Sequence, residues 1–129
     1  MGSISRMALL ICLFVMVSAD SNAESYGGYY SLGAFGARLS NHDLKLMAKA
    51  AQPLLEDESL PIGTSREWKN PESGDHGTIQ LIRRFEYKYQ GSSLPCRELR
   101  YHVQTTGDAD PYNVKLNRCK VADGSWKTL

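Results

Sequence analysis

The sequence lacks three features that would each point to a definite class of protein. It has no excess of charge of one sign, since 15 basic and 14 acidic residues leave a formal net charge of +1, whereas a nucleic-acid-binding domain normally carries a strong basic excess. Its longest apolar run, near the N-terminus, is shorter than the ~20 residues of a membrane-spanning helix. It has only three cysteines, and no two of them have the C-x-x-C spacing of a metal or redox pair.

Short catalytic motifs are also absent. The sequence contains no G-x-S-x-G turn, no phosphate-binding glycine loop and no H-E-x-x-H zinc motif. Asp75 and His76 stand together in a stretch of turn-forming residues, where such residues are common for conformational reasons. We therefore predict a protein that is not an enzyme and has neither a metal nor a cofactor. A small hydrolase that uses His76 or His102 is kept as an alternative.

The first 23 residues have the pattern of a secretory signal peptide. Arg6 is the one charge before the apolar run, and small residues follow at the positions that a signal peptidase reads. The pattern allows cleavage after Ala19 or after Ala23. Cleavage after Ala23 leaves about 106 residues, the size of one small domain. The alternative is that the segment is retained as an anchor.

Export decides how the cysteines are interpreted. Cys12 leaves with the signal peptide, and its position inside the apolar run makes it a poor acceptor for a lipid anchor. Cys96 and Cys119 remain, and two cysteines in an oxidising compartment are most simply a disulfide. Cys96 is out of phase with Leu99, and Cys119 is out of phase with Leu116. We therefore predict a cross-strand disulfide on the face opposite the main apolar residues, stabilising by about 3 kcal/mol.

The N-terminal part of the exported chain divides into an arm and a helix. Residues 24–39 are rich in glycine and tyrosine, and we interpret them as a flexible arm in which Tyr29 and Tyr30 are candidate contact residues. Ser40 is a good N-cap, and Asp43 completes a capping-box-like pair. Apolar residues then recur at helical spacing. Proline at position 53 is expected to kink this helix or to end its first part near residue 52.

The rest of the chain reads as antiparallel strands. Apolar and polar residues alternate between clusters of turn formers, and turns are expected at 70–77, 90–95, 106–111 and 123–124. In the strand after the first of these turns, the alternation places Leu81 and Phe85 on one face, with Arg83 among them. The predicted fold of residues 40–129 is α+β: one N-terminal helix packed on an antiparallel meander of four to five strands, stapled by the disulfide.

Arginines are the main candidates for a binding surface. The strands contain Arg83, Arg84, Arg97, Arg100 and Arg118. Guanidinium groups bind carboxylates and phosphates bidentately, so arginines gathered on the sheet would form an anion-binding face, with Arg97, Arg100 and Arg118 as the binding residues. The alternative is that these charges solvate an exposed face and pair with Glu86 and Glu98.

Three motifs follow one another in the second half of the chain: REWKNPESGDHGTI at 66–79, CRELRYHV at 96–103 and CKVADGSW at 119–126. Together they resemble the C-terminal domain of the rickettsial seventeen-kilodalton surface antigen family, exported envelope proteins of Gram-negative bacteria. The matching positions are Trp68, Asn70, Ser73, Gly74, Gly77, Cys96, Arg97, Glu98, Cys119, Asp123, Gly124 and Trp126. The resemblance implies an envelope protein with no established catalytic activity. It carries over no catalytic residue, and the family's lipidated cysteine and glycine zipper are missing.

The leading hypothesis is a non-catalytic envelope protein of the periplasm, outer membrane or cell surface of a Gram-negative bacterium. Its expected partner is another envelope protein or an outer-membrane component, with no nucleic acid and no membrane span in the mature chain. The alternative is a soluble periplasmic interaction module, such as an inhibitor or a secretion-system accessory. In that case the tyrosine-rich arm and the arginines would be the binding parts.

Overall fold

A computed structural model describes Phe35 and residues 38–129. The main elements of this part are one helix, α1 (Asn41–Glu56), and five strands: β1 (Ser65–Lys69), β2 (His76–Tyr89), β3 (Ser92–Gln104), β4 (Tyr112–Lys120) and β5 (Trp126–Thr128). The strands form one antiparallel sheet in chain order. The predicted helix on an antiparallel meander is confirmed, with five strands. None of the helices in the described residues has the length and hydropathy that a bilayer crossing requires.

The start of α1 is a complete capping box. The Ser40 hydroxyl accepts the Asp43 N–H at 3.0 Å, and the Asp43 carboxylate accepts the Ser40 N–H at 2.9 Å. Of the two expectations for Pro53, the one that the helix ends its first part near Gln52 is wrong, because the helix continues to Glu56. Pro53 lies in the last turn, where its missing N–H removes one helical bond, and its carbonyl accepts the N–H of Asp57 at 2.9 Å.

β2 contains an irregularity that the alternation did not predict. Leu81 pairs with Leu99 of β3, but Arg83 pairs with the next residue back along β3, Glu98. The extra residue between them is a β-bulge, which reverses the phase of the strand. The expectation that Leu81 and Phe85 share a face is therefore wrong: Leu81 points toward α1, and Phe85 points away from it.

The turn between β2 and β3 is shorter than the expected segment 90–95. Gln90 and Gly91 both have positive φ, 48° and 77°, as in a two-residue turn whose twist suits a hairpin. β3 therefore already begins at Ser92. Pro95 is tolerated inside β3 because pairing with β4 starts only at Cys96, so no neighbour on that side needs a proline N–H.

The core lies between α1 and one face of the sheet. It contains Met47, Ala48, Ala51, Leu54 and Leu55 of the helix and Ile79, Leu81, Leu99, Tyr101, Val103 and Leu116 of the sheet. Two residues from the segment interpreted as an arm join it, since Phe35 and Leu39 are buried, and the Phe35 ring meets the Tyr101 ring edge-on at 5.2 Å. The other face carries no helix among the described residues. We call the two sides the core face and the open face.

Candidate functional site

The two cysteines predicted to form a disulfide are bonded to each other. Cys96 of β3 and Cys119 of β4 are direct register partners, their Cα atoms are 4.1 Å apart, and both are fully buried. The β3–β4 pairing has no register shift, so both sulfurs lie on the open face, opposite Leu99 and Leu116. The phase prediction is confirmed. Neither sulfur is a free thiol for nucleophilic chemistry.

Two of the candidate arginines lie on the core face. Because side chains alternate along a strand, Arg97 and Arg118 point to the side opposite the disulfide and face each other across β3 and β4. They are 5% and 0% exposed. Arg84 of β2 faces Arg97 from the other side. Three guanidinium groups thus lie in one row beneath the C-terminal end of α1.

The end of α1 and the loop after it supply the acceptors for this row. The Arg84 side chain donates to the carbonyls of Leu60 at 2.6 Å and Asp57 at 3.2 Å. Arg97 donates to the carbonyl of Cys96 at 2.9 Å and lies 3.5 Å from the Glu58 carboxylate. The last turn of α1 has no basic residue of its own, so the sheet supplies the positive charge that favours the C-terminal end of a helix.

Trp126 closes this corner of the molecule. Its indole N–H donates to the Glu56 carboxylate at 2.6 Å, the Lys120 ammonium lies 3.2 Å from the other oxygen, and the Arg97 guanidinium stands over the indole ring at 5.4 Å. The Trp126 hydrogen bond and the Lys120 charge hold the pKa of Glu56 below its ordinary value. Burial and the neighbouring Arg84 charge lower the pKa of Arg97. These contacts give the closing motif, CKVADGSW, a structural role.

The WKN and SGDHG parts of the first motif meet the start of α1. Asn70 and Ser73 both donate to one oxygen of the buried Asp43 carboxylate, at 2.7 and 2.9 Å. Burial on its own raises the pKa of Asp43, but hydrogen bonds from the Ser40 N–H, Asn70 and Ser73 outweigh it, so the pKa is lowered. The turn before β2 is thereby fixed to the N-terminus of the helix.

Gly77 of the same motif is required by a close approach of backbone. A Cβ atom at this position would overlap the carbonyl oxygen of His102 on β3 and would lie 2.8 Å from the indole nitrogen of Trp68. Only glycine lets β2 pass between these groups without displacement. Asn70, Ser73 and Gly77 of the first motif therefore have roles in folding.

The two histidines of the hydrolase alternative are each held by a neighbouring acceptor. His76 Nδ1 lies 3.1 Å from the carbonyl of Gly74, and His102 Nδ1 lies 2.9 Å from the side-chain oxygen of Asn113. Neither histidine can form a Cys–His catalytic pair within the described residues, because both cysteines there are in the disulfide. Within residues 38–129, no group of three His, Cys, Asp or Glu side chains has the arrangement of a metal site.

A shallow cleft lies beside the β3–β4 loop. Asp75 and Asp108 line it together with Arg38. These side chains contact one another and the loop. Asp75 accepts the Thr106 N–H at 2.8 Å, and Asp108 accepts the Thr105 hydroxyl at 2.6 Å and pairs with Arg38 at 3.3 Å. The Thr106–Asp75 hydrogen bond connects the β3–β4 loop to the turn before β2.

The open face carries most of the exposed charge of the sheet. Register and alternation place five basic and two acidic residues on it: Lys69, Arg83, Arg100, Lys115, Lys127, Glu67 and Glu98. Arg83 pairs with Glu98 at 3.4 Å. Among the described residues, Lys69, Arg100, Lys115 and Lys127 form no salt bridge. The open face is therefore a basic surface, and four of its five basic side chains form no salt bridge with another described residue.

At one end, the open face continues into an aromatic ribbon. We use this name for residues 85–95, where β2 and β3 extend past the first β3–β4 pair. Phe85, Tyr87 and Tyr89 of β2 and Leu94 of β3 all point to the open side. Tyr87 and Tyr89 are 43% and 53% exposed.

The structure places the predicted binding residues in different parts of the molecule. Arg97 and Arg118 are in the core and hold the fold, Arg100 is exposed on the open face, and Tyr29 and Tyr30 lie outside the described residues. Lys115 and Lys127, which the structure places on the open face, were not among the predicted residues. A signal for Lys115 was present, since it alternates with the apolar Val114 and Leu116 and so belongs on the face opposite the core.

These features define a small disulfide-bonded α+β domain with one structural face and one open face. The chain is similar to curated proteins named 17 kDa surface antigen: it is 28% identical over 94 residues to that of Rickettsia bellii (strain RML369-C), covering 73% of this chain and 55% of the relative. It is 30% identical over 91 residues to that of Rickettsia felis (70% and 53%) and 29% identical over 87 residues to that of Rickettsia prowazekii (67% and 50%).

The chain is thus a surface-antigen-like protein, and the resemblance inferred from the three motifs is confirmed. It spans about half the length of the curated relatives it matches. No family model matches the chain. No solved structure matches it either.

Proposed function

We propose that this protein is a non-catalytic, exported component of the bacterial envelope, and that it binds another envelope component through the open face. The observation that carries the proposal is that the two faces differ in role: one packs against α1, and the other exposes basic and aromatic side chains. Most of the motif residues that carry the resemblance to the surface antigens lie in the core, the disulfide and the turns, while Glu98 lies on the open face. The exposed cations and the aromatic ribbon have no such use among the described residues.

The disulfide supports export. A buried cross-strand disulfide forms and persists in an oxidising compartment and is rare in the cytosol. Bonding of Cys96 to Cys119 therefore fits the signal-peptide pattern of the first 23 residues. The names of the rickettsial relatives, which describe a surface antigen, fit the same location.

Cell fractionation with thiol trapping tests this proposal. Host cells are quenched in acid, separated into cytoplasm, periplasm and membranes, and treated with an alkylating reagent before and after reduction. We expect the mature chain in the periplasmic or membrane fraction, with Cys96 and Cys119 alkylated only after reduction. Recovery in the cytoplasm with both thiols alkylated before reduction would contradict the proposal. A soluble periplasmic chain would favour the alternative of a soluble interaction module.

A further inference from the structure

We propose that the component bound by the open face is an anionic lipid surface, whose phosphate-bearing headgroups contact the basic residues while the tyrosines of the aromatic ribbon lie at the interface. This inference rests on the proposed function for the protein's presence in the envelope. It adds the chemical class of the partner and the way the domain lies on it.

The charge of the open face is the first argument. Its five basic residues exceed its two acidic residues by three, whereas residues 38–129 as a whole contain 14 basic and 12 acidic residues, a net charge of +2. The rest of this part of the chain therefore has a net charge of −1, and the positive charge is concentrated on the open face. An anionic surface attracts the open face more strongly than the rest. Each lysine or arginine near such a surface contributes roughly 1 kcal/mol to binding.

The shape of the charged surface is the second argument. The cations are spread over all five strands instead of converging on one point, from Lys69 on β1 through Arg100 on β3 to Lys127 on β5. A compact anion would need guanidinium groups gathered around it. A row of separated cations on one side of a sheet instead matches an extended layer of negative charge.

The ribbon is the third argument. Tyr87 and Tyr89 point to the same side as the cations, and their rings are exposed. Tyrosine is enriched at membrane interfaces because its ring is apolar and its hydroxyl is wet. Arg83 stacks on the Phe85 ring at 4.1 Å and so joins the basic surface to the ribbon. The two kinds of side chain therefore lie on the same side of the sheet.

Vesicle binding tests the inference. Purified mature protein is incubated with phosphatidylcholine vesicles and with vesicles that also contain phosphatidylglycerol, and binding is measured by flotation. We expect binding only to the phosphatidylglycerol vesicles, with a loss at high salt because exposed charges are screened. The double variant Lys115→Gln/Lys127→Gln should bind about 30-fold more weakly. The matched control Lys45→Gln/Lys49→Gln, which removes the same charge from the exposed side of α1, should bind as wild type does.

The ribbon is tested separately with Tyr87→Ser/Tyr89→Ser, which should also weaken binding to the phosphatidylglycerol vesicles. Circular dichroism confirms that each variant is folded. Absence of binding, equal binding to neutral vesicles, or equal losses in the two lysine variants would overturn the inference. So would competition by free inorganic phosphate at matched ionic strength, which would indicate a site for a small anion. If the tyrosine variant converts a dimer to a monomer but binds vesicles normally, the ribbon joins two copies, and its lipid role is wrong.

The two proposals fail in different ways. Periplasmic or membrane recovery from host cells, together with no vesicle binding, leaves the envelope role standing and removes the lipid. Cytoplasmic recovery with free thiols removes the envelope role, whatever the vesicles show.

Discussion

Cys96 faces Cys119 across β3 and β4, with their Cα atoms 4.1 Å apart. The residue after the first cysteine and the residue before the second, Arg97 and Arg118, must then face each other on the other side of the sheet. One register therefore fixes both the covalent link on the open face and a buried pair of arginines on the core face. The disulfide holds in place the strands that carry the charges beneath the end of α1.

The disulfide should contribute once to stability, whichever cysteine is removed. Cys96→Ala and Cys119→Ala are each expected to lower the free energy of unfolding by about 3 kcal/mol, because either change reopens the same loop in the unfolded chain. The double variant should lose little more than either single variant. Urea denaturation without reductant measures all three. Clearly additive losses would mean that the two sulfurs are not partners.

The two carboxylates at the end of α1 should differ in importance. Glu56→Gln weakens charge-assisted contacts with Trp126 and Lys120 and is expected to lower the free energy of unfolding by about 1–2 kcal/mol. Glu58→Gln is the matched control. Glu58 is 81% exposed and 3.5 Å from Arg97, so this change should cost no more than about 0.5 kcal/mol. The reverse order in urea denaturation would contradict the role assigned to Glu56.

Gly77 should be intolerant of any side chain. Gly77→Ala places a methyl group against the carbonyl of His102, and we expect a loss of about 3 kcal/mol from overpacking and strand displacement. Gly107→Ala serves as the control, since a Cβ there meets nothing within 4 Å. Thermal unfolding of the two variants measures the difference. Similar melting temperatures would show that β2 does not pass as close to β3 as described.

Stability should fall in acid, and Asp43 should account for part of the fall. Its pKa is lowered in the folded protein, since hydrogen bonds to Ser40, Asn70 and Ser73 outweigh burial. A carboxylate of this kind stabilises the fold above its unfolded-state pKa, and the contribution is lost below about pH 4, as the pH falls through the folded-state value.

Asp43→Asn should therefore lower the free energy of unfolding at neutral pH by about 2 kcal/mol and flatten its decline in acid. Urea denaturation over a pH series measures both effects. Glu67→Gln, which removes an exposed carboxylate without a hydrogen bond among the described residues, should leave the pH dependence as it is in wild type. An unchanged acid decline in Asp43→Asn would contradict the assignment.

The parts of the fold that depend on local sequence were predictable. The Ser40–Asp43 capping box, the turn glycine at 124 and the order of the strands follow from neighbouring residues. The disulfide also followed, because β3 and β4 keep strict alternation near Cys96 and Cys119. At these positions, the local sequence pattern and the tertiary structure favour the same conformation.

The parts that depend on distant contacts were not predictable. The bulge between Leu81 and Arg83 is stabilised by the pairing of β2 with β3, and no local signal in the strand marks it. The buried Arg97 pairs with Glu58, which the loop after α1 brings from about forty residues away in sequence. Alternation puts Arg97 in phase with Leu99, but charged residues are normally expected at the surface, so the sequence alone does not predict that Arg97 is buried.

Lysine footprinting in isolated host envelopes tests the central claim most directly, which is that the open face is the binding face. The envelopes and the purified mature protein are treated with an acetylating reagent, and the modification of each lysine is measured by mass spectrometry. The account predicts that Lys69, Lys115 and Lys127 are protected in the envelopes, while Lys45 and Lys49 on α1 stay as reactive as in the purified protein. Equal reactivity of all five lysines, or protection of Lys45 and Lys49 instead, would contradict it.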